Sequence, residues 1–322
     1  ASLTTTNLSL PNGFGSSATD MSGMFWGASL PTTGFSLPAG FGSVATNMNY
    51  MFLDATLNSN IILASSFGQN VIQAQSFMNS ATIKGNLTIE GTFPKVTSVE
   101  YFLKVNKITG DVIIPDNFMP INNDSAIFMY AKIDGSLTIG NNFMASDTSV
   151  YSELIQSAEI KGGLYIGNNF MPSVTQSVSL FLYIKVNNLH IGDNFMSNTT
   201  SCSGMFQYAS ISGDFSIGDN FVPKCTNISS MFYSATINND LALPTGFGSA
   251  ATTMSYMFNE TKLNGDIDWS GTDLTNSTAS KSTMFQGITW NGHFILAQNQ
   301  GSVDWLIDGT GATTANVKVK GS

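Results

Sequence analysis

The amino-acid sequence predicts a mainly β protein, folded as a single right-handed solenoid of about 11 to 12 turns with a parallel sheet and a C-terminal β cap. Three observations support this fold class. An apolar residue recurs about every 26 residues, most repeats contain versions of one heptapeptide, and a phenylalanine closes the unit. Self-similarity at such a period is typical of proteins built from stacked repeats.

The period is read from the apolar residue that follows the Met-Phe pair of each repeat. Successive spacings between these residues are 25 to 27, and Leu3 extends the series toward the N-terminus. The repeats are therefore predicted to occupy residues 1–296, and residues 297–322 are predicted to form the cap. The marker positions are Leu30, Leu57, Ile83, Ile108, Ile133, Ile160, Val186, Ile211, Ile237, Leu263 and Trp290.

The heptapeptide predicts a short strand followed by a turn. It reads LSLPNGF at 8–14, LTIGNNF at 137–143 and FSIGDNF at 215–221. Apolar first and third positions give the period of two that a strand requires, and the Gly, Pro, Asn and Asp residues that follow favour a turn. Because the same strand returns once per repeat, we expect it to pair in parallel with its copy about 4.8 Å away.

Two rows of aromatic residues are predicted to fill the solenoid. One row consists of the closing phenylalanines, and the other consists of the Met-Phe pairs, in which Met can fill irregular gaps and contact aromatic rings. A Met-rich binding groove or a copper site is the alternative, but the pairs recur at the phase that faces the core. The closing phenylalanines are Phe14, Phe41, Phe67, Phe93, Phe118, Phe143, Phe170, Phe195, Phe221 and Phe247.

The Met-x-x-Met-Phe motif also carries a family resemblance. It occurs in TDMSGMFWGA at 19–28, TNMNYMFLDA at 46–55 and TTMSYMFNET at 252–261. These stretches resemble the BspA-like repeats of bacterial surface proteins, which belong to the leucine-rich-repeat-like solenoids. The resemblance covers nearly the whole chain, although the middle repeats replace Met-Phe with other apolar pairs. It implies display outside the cell and a role in adhesion, and it brings no catalytic residues.

Composition narrows the function further. Charged residues make up 10% of the chain and the net charge is −9, which argues against nucleic acid because phosphate binding needs clustered Lys and Arg. No apolar run is long enough to predict insertion into a membrane. We therefore expect a non-catalytic, extracellular cell-surface protein, an adhesin or ligand-binding scaffold without cofactors. Its expected partner is a protein or glycan on a host or neighbouring cell, or a copy of itself.

Candidate chemistry is sparse. Asp214, Asp240 and Asp266 precede their strands on consecutive turns, and stacked carboxylates could form a weak Ca²⁺ site. The favoured interpretation is a row of turn-forming residues in which Asn86 and Asn188 are equivalent, so no metal site is predicted. No motif typical of a hydrolase, a phosphate-binding loop or a dinucleotide-binding fold is present.

Three further features carry predictions. Tyr165 and His190 occupy the outward row of the sheet on adjacent turns and form a candidate contact point for a partner.

Cys202 and Cys225 are 23 residues apart, three short of the period, so a disulfide is doubtful and two thiols are expected. At the N-terminal end, an ordinary repeat without a polar cap is predicted to leave apolar residues uncovered. Three explanations stay open: the sequence is part of a longer array, the first residues form an improvised edge, or copies stack head-to-tail into a filament. The residues of this edge are Leu3, Leu8, Leu10 and Phe14.

Overall fold

The structure is a computed structural model that describes residues 8–30, 35–119, 126–148, 150–152, 154–274, 277–296 and 300–320. The chain divides into two compact units. Unit 1 comprises residues 1–147 and 154–167, and unit 2 comprises residues 148–153 and 168–322. The fold class predicted from the sequence is confirmed: the protein is mainly β, and its parallel strands form a β-solenoid. The expected count of 11 to 12 turns included one around Leu3, which lies outside the described residues.

Unit 1 contains two rows of short strands, and β11 runs through both. Neighbours within each row pair in parallel, with registers such as Thr56↔Thr82 and Leu87↔Val112 that equal one repeat. The first row consists of β1 (Ser29–Leu30), β2 (Thr56–Leu57), β4 (Thr82–Ile83), β6 (Lys107–Ile108), β8 (Lys132–Ile133) and β11 (Glu159–Ile166). The second row consists of β3 (Ile61–Leu63), β5 (Leu87–Ile89), β7 (Val112–Ile114), β9 (Leu137–Ile139) and β11.

Unit 2 repeats this plan. Its first row consists of β13 (Lys185–Ile191), β14 (Ser210–Ile211), β16 (Thr236–Ile237), β18 (Lys262–Leu263) and β20 (Thr289–Trp290). In the second row β13 pairs with β15 (Phe215–Ile217), and a four-stranded sheet consists of β17 (Leu241–Ala242), β19 (Ile267–Trp269), β21 (Phe294–Leu296) and β22 (Val317–Val319). A separate pair consists of β10 (Val150–Ser152) and β12 (Gln176–Val178). The sequence predicted the heptapeptide strand but not the shorter strand around the marker residue.

The predicted aromatic rows form the core. From Phe41 to Phe247 every closing phenylalanine is buried. Within each unit their rings contact those of neighbouring turns, stacked in the pair Phe195 and Phe221 at 5.2 Å between ring centres and edge-on in the pair Phe67 and Phe93 at 5.8 Å. The two rows also touch each other, with 5.4 Å between the rings of Phe93 and Phe102. In the first described repeat the prediction is wrong for Met24, which is 37% exposed.

Asparagine and aspartate side chains link one turn to the next at the corners. The Asn220 amide donates to the Oδ1 atom of Asn194 at 3.0 Å, and both residues have φ near 57°. Asn is among the few residues that adopt this left-handed conformation readily. The side chains of Asn194 and Asn220 thus bond one turn to the next, whereas others, such as Asn47, accept a hydrogen bond from a backbone amide of their own turn.

The C-terminal cap contains a helix that the sequence did not predict. Helix α1 (Gln300–Ile307) is followed by β22, the predicted closing strand, which pairs in parallel with β21. The indole of Trp305 donates to the Ser277 carbonyl at 2.9 Å, and the Lys281 ammonium lies 4.3 Å from the centre of the Trp305 ring. Leu306 is fully buried. The cap is thus part helix and part strand.

The structure joins Cys202 and Cys225 in a disulfide, so the expectation of two thiols is corrected. Their Cα atoms are 6.2 Å apart, within the usual range for a bridge. The three-residue offset from the period is taken up by a turn in which the Cys225 amide donates to the Val222 carbonyl at 3.0 Å. That turn brings the second sulfur beside the first, and both cysteines are buried.

Candidate functional site

Tyrosines occupy backbone positions that disfavour them. Six of the nine tyrosines have φ between 57° and 60°: Tyr50, Tyr101, Tyr130, Tyr183, Tyr208 and Tyr256. A bulky residue in this left-handed region is uncommon and strained. At the corner that Tyr183 and Tyr208 occupy, other repeats place Gly27 and Gly287, which adopt the same conformation without a side-chain penalty. Asp54, Ser80 and Glu260 also occupy this corner with a positive φ, so the left-handed turn belongs to the fold, and tyrosine is the bulkiest side chain placed there.

Unit 2 brings three tyrosines together on its surface. Tyr183 and Tyr208 stack with 4.7 Å between ring centres and 7° between ring planes. Tyr208 meets Tyr233 edge-on at 5.5 Å. Tyr183 is 48% exposed and Tyr208 is 37% exposed, whereas Tyr233 is half-buried. These three residues are named the tyrosine row.

The tyrosine row ends at an acidic group. Burial raises the pKa of the Tyr233 phenol, and the negative charge of the neighbouring Glu260 carboxylate raises it further. The Ser234 hydroxyl donates a hydrogen bond to that carboxylate at 2.9 Å. The phenol therefore stays protonated at neutral pH, and the carboxylate is held beside the rings.

Backbone pairing fixes the spacing of these rings. The amide of Tyr183 donates to the Gln207 carbonyl at 3.0 Å, and the amide of Tyr208 donates to the Tyr233 carbonyl at 2.9 Å. Because the rings belong to consecutive turns of one solenoid, their separation follows the strand spacing. The surface is thus rigid and aromatic, with phenol hydroxyls, amides and one carboxylate.

The structure places Tyr165 and His190 in different units. Tyr165 lies on β11 of unit 1, is 37% exposed and is aligned with Thr138. His190 lies on β13 of unit 2, where its Nδ1 atom is 2.7 Å from the Ser216 hydroxyl oxygen. Their joint contact point stays a prediction.

The aspartates considered for a metal site form a hydrogen-bonded ladder between turns. The amide of Asp266 donates to the carboxylate of Asp240 at 2.7 Å, and the amide of His293 donates to that of Asp266 at 2.8 Å. The carboxylate of Asp214 accepts from the Asn239 side chain at 3.3 Å. Within the described ranges, no group of three His, Cys, Asp or Glu residues could hold a metal ion. These carboxylates therefore bond one turn of the solenoid to the next.

The predicted assembly edge is described in part. Leu3 lies outside the described residues, and Leu8 and Leu10 are half-buried. Phe14 stacks on Phe41 at 6.2 Å but keeps 37% of its surface exposed. It is therefore the most exposed of the closing phenylalanines.

The fold and this surface define a parallel β-solenoid repeat protein. Residues 175–294 match the family described as "Mycoplasma protein of unknown function, DUF285". The match spans less than half of the 322 residues, so the chain is similar to that family over this part. Neither the curated proteins nor the solved structures gave a significant match. Among the described residues, no helix has the length and hydrophobicity to cross a bilayer.

Reasoning from the sequence missed the tyrosine row. Tyr183 and Tyr208 lie two positions after the core phenylalanine, as in "LFLYI" at 180–184 and "MFQYA" at 205–209, and Tyr233 directly follows Phe232. The corner of Tyr183 and Tyr208 is filled in other described repeats by Gly, Asp, Ser or Glu, so no constant residue type marks it in the sequence.

Proposed function

We propose that the protein is an extracellular, cell-surface scaffold of the adhesin type that binds a protein partner through the tyrosine row and catalyses no reaction. One observation carries the proposal: Tyr183 and Tyr208 are exposed, mutually stacked and held in a left-handed conformation. Strained residues that persist on a rigid framework are associated with function.

A protein partner fits the chemistry of this surface. Tyrosine offers a large, rigid and amphipathic contact area at low conformational cost, and Ser, Gly and Asn add adaptable hydrogen bonds. Beside the tyrosine row, the Ser234 hydroxyl supplies such a group, and Glu260 is a fixed negative charge. We therefore expect an epitope that contains hydrogen-bond donors and at least one basic residue.

The extracellular location is supported by two features. Disulfides persist mainly in oxidising compartments, and Cys202 and Cys225 are paired. The low content of charged residues also fits a secreted, Asn- and Thr-rich solenoid. For the absence of catalysis, the support is that Asp240 and Asp266 accept amide hydrogen bonds and serve the fold.

The test is a binding measurement against an array of immobilised extracellular-matrix and cell-surface proteins. We expect the Tyr183→Ser/Tyr208→Ser double variant to bind the selected partner at least about tenfold more weakly, because exposed tyrosines are frequent hot spots. The matched control is Tyr256→Ser, which removes a 46% exposed tyrosine of unit 2 that lies outside the row. Equal loss in both variants, or no loss in the double variant, would contradict the proposal.

A second candidate function is head-to-tail assembly, and it rests on the exposure of Phe14. An apolar surface that meets a different surface of the next copy generates open filaments. Light scattering over a range of protein concentrations tests this idea. We then expect a mass that rises with concentration and that falls to the monomer value in Phe14→Ser. A constant monomer mass at high concentration would eliminate assembly.

A further inference from the structure

Unit 1 contains a polar furrow on its surface that neither the core nor the proposed protein contact uses. Its volume is about 490 Å³, and it is open to solvent. Four of the residues that line it belong to consecutive repeats, which gives it a length of about 14 Å at the strand spacing. Its polar lining consists of Asp54, Ser80, Lys104, Asn106, Tyr130 and Lys132.

Two tyrosine rings hold a cation in this furrow. The Lys104 ammonium lies 4.5 Å from the centre of the Tyr101 ring and 5.3 Å from that of Tyr130. Such cation–π contacts restrict a flexible lysine side chain without neutralising its charge. Lys104 is therefore ordered in advance for an anion that enters the furrow.

A second cation lies beside it. Lys132 is exposed, and in the described part of the chain it forms no salt bridge, including with Glu159, its partner in strand register. The nearby carboxylate of Asp134 is engaged by Lys107 at 2.9 Å and by Lys161 at 2.7 Å. The charges of Lys104 and Lys132 are thus available within an otherwise acidic protein.

The remaining groups of the furrow suit a sugar. Tyr130 is 48% exposed and lies at the same end as the two lysines, so its ring offers an apolar surface for the C–H face of a pyranose. The Ser80 hydroxyl donates to Asn79 at 3.3 Å, and the Asn106 side-chain amide donates to the Thr82 hydroxyl at 3.4 Å. The side-chain oxygens of Ser80 and Asn106 can accept hydrogen bonds from sugar hydroxyl groups, as can the Asp54 carboxylate at the far end.

We infer that this furrow is a binding site for a saccharide that carries a carboxylate, with the carboxylate between Lys104 and Lys132 and the sugar ring against Tyr130. The lysines recognise the charge, and the ring and the amide and hydroxyl groups recognise the sugar. An acidic peptide would share the charge but not the apolar face and the row of hydroxyls.

The experiment is isothermal titration of the whole chain with tetragalacturonate and with its methyl ester, which keeps the sugar and removes the charge. We expect the acid to bind at least about tenfold more tightly than the ester, because charge-assisted hydrogen bonds are the stronger ones. We expect Lys104→Gln/Lys132→Gln to abolish that difference. Lys95→Gln is the matched control, since Lys95 is an exposed lysine of unit 1 that bonds Asn70 outside the furrow, and it should leave the difference intact.

Several results would overturn the inference: no binding of either saccharide, equal binding of acid and ester, or an unchanged preference in the double lysine variant. Binding of a glutamate tetrapeptide as tightly as tetragalacturonate would also overturn it, because the site would then recognise charge alone. Circular dichroism confirms that each variant is folded. The tyrosine-row variant Tyr183→Ser/Tyr208→Ser should bind tetragalacturonate normally, so failure of this inference is distinguishable from failure of the proposed function.

Discussion

Phe195→Ala tests whether the aromatic rows hold the solenoid together. Phe195 is fully buried, and its ring stacks at 5.0 Å on that of Phe170 and at 5.2 Å on that of Phe221. Loss of the buried side chain removes about 1.5–3 kcal/mol of transfer free energy. The lost ring contacts add about 0.5–1.5 kcal/mol. With the cavity that remains, we expect the free energy of unfolding to fall by about 3–5 kcal/mol.

The assay is urea unfolding followed by circular dichroism, combined with hydrogen exchange. Repeat arrays can unfold in parts, so the amide of Met196, which donates to the Phe170 carbonyl at 2.9 Å, reports the local effect. Its protection should fall at least about 100-fold. Phe14→Ala is the matched control at the equivalent position of an exposed repeat, and it should lower the free energy of unfolding far less. A loss below about 1 kcal/mol in Phe195→Ala would refute the core role of the row.

Three further predictions concern single features. Replacing Cys202 and Cys225 by Ser should lower the free energy of unfolding by about 3 kcal/mol, because the bridge closes a loop of about 24 residues; a variant that unfolds at the same urea concentration as the wild type would contradict this. Asn194→Ala should lower the free energy of unfolding, measured by thermal unfolding, by about 1–3 kcal/mol, because it loses hydrogen bonds and places alanine at a left-handed φ. Asn194→Gly should lower it less, since glycine tolerates that φ. Equal losses in the two variants would show that the left-handed backbone contributes nothing to the effect. Hydrogen bonds from Lys161 and Lys107 hold the pKa of Asp134 below its ordinary value of 3.8. The stability that the ionised Asp134 carboxylate adds to the fold is therefore complete above pH 3.8, and it is lost as the pH falls through the folded-state pKa. The melting temperature of Asp134→Asn should therefore be below that of the wild type near neutral pH, and the difference should shrink as the pH falls below 3.8. A difference that stays constant over this range would argue against the ion pair.

The fold could be predicted from the sequence because its signal is repeated. One heptapeptide by itself does not distinguish a strand from other structure. Versions of it at a constant spacing predict strands that pair in parallel from one turn to the next. The two-residue strands around Leu57 or Ile83 were not predicted because two residues carry no periodicity. Helix α1 was missed for a related reason: its eight residues occur once, and contacts such as that between Lys281 and Trp305 stabilise it from outside.

The surface features were harder to predict than the core. The disulfide was judged doubtful from sequence spacing, since the turn at Val222 that brings the two sulfurs together is a three-dimensional feature. The tyrosine row was missed because its corner position accepts many residue types in other repeats. In the sequence Lys104 and Lys132 are 28 residues apart and share no motif. The stacking of turns places them in one furrow with Tyr130.

The most direct test of the proposed function is the affinity of one selected extracellular protein partner for three chains. These are the wild type, Tyr183→Ser/Tyr208→Ser and Tyr256→Ser, measured by surface plasmon resonance on folded material. Binding through the tyrosine row predicts a loss of at least about tenfold in the double variant and an unchanged affinity in Tyr256→Ser. An unchanged affinity in the double variant would contradict the assignment of this surface as the binding site.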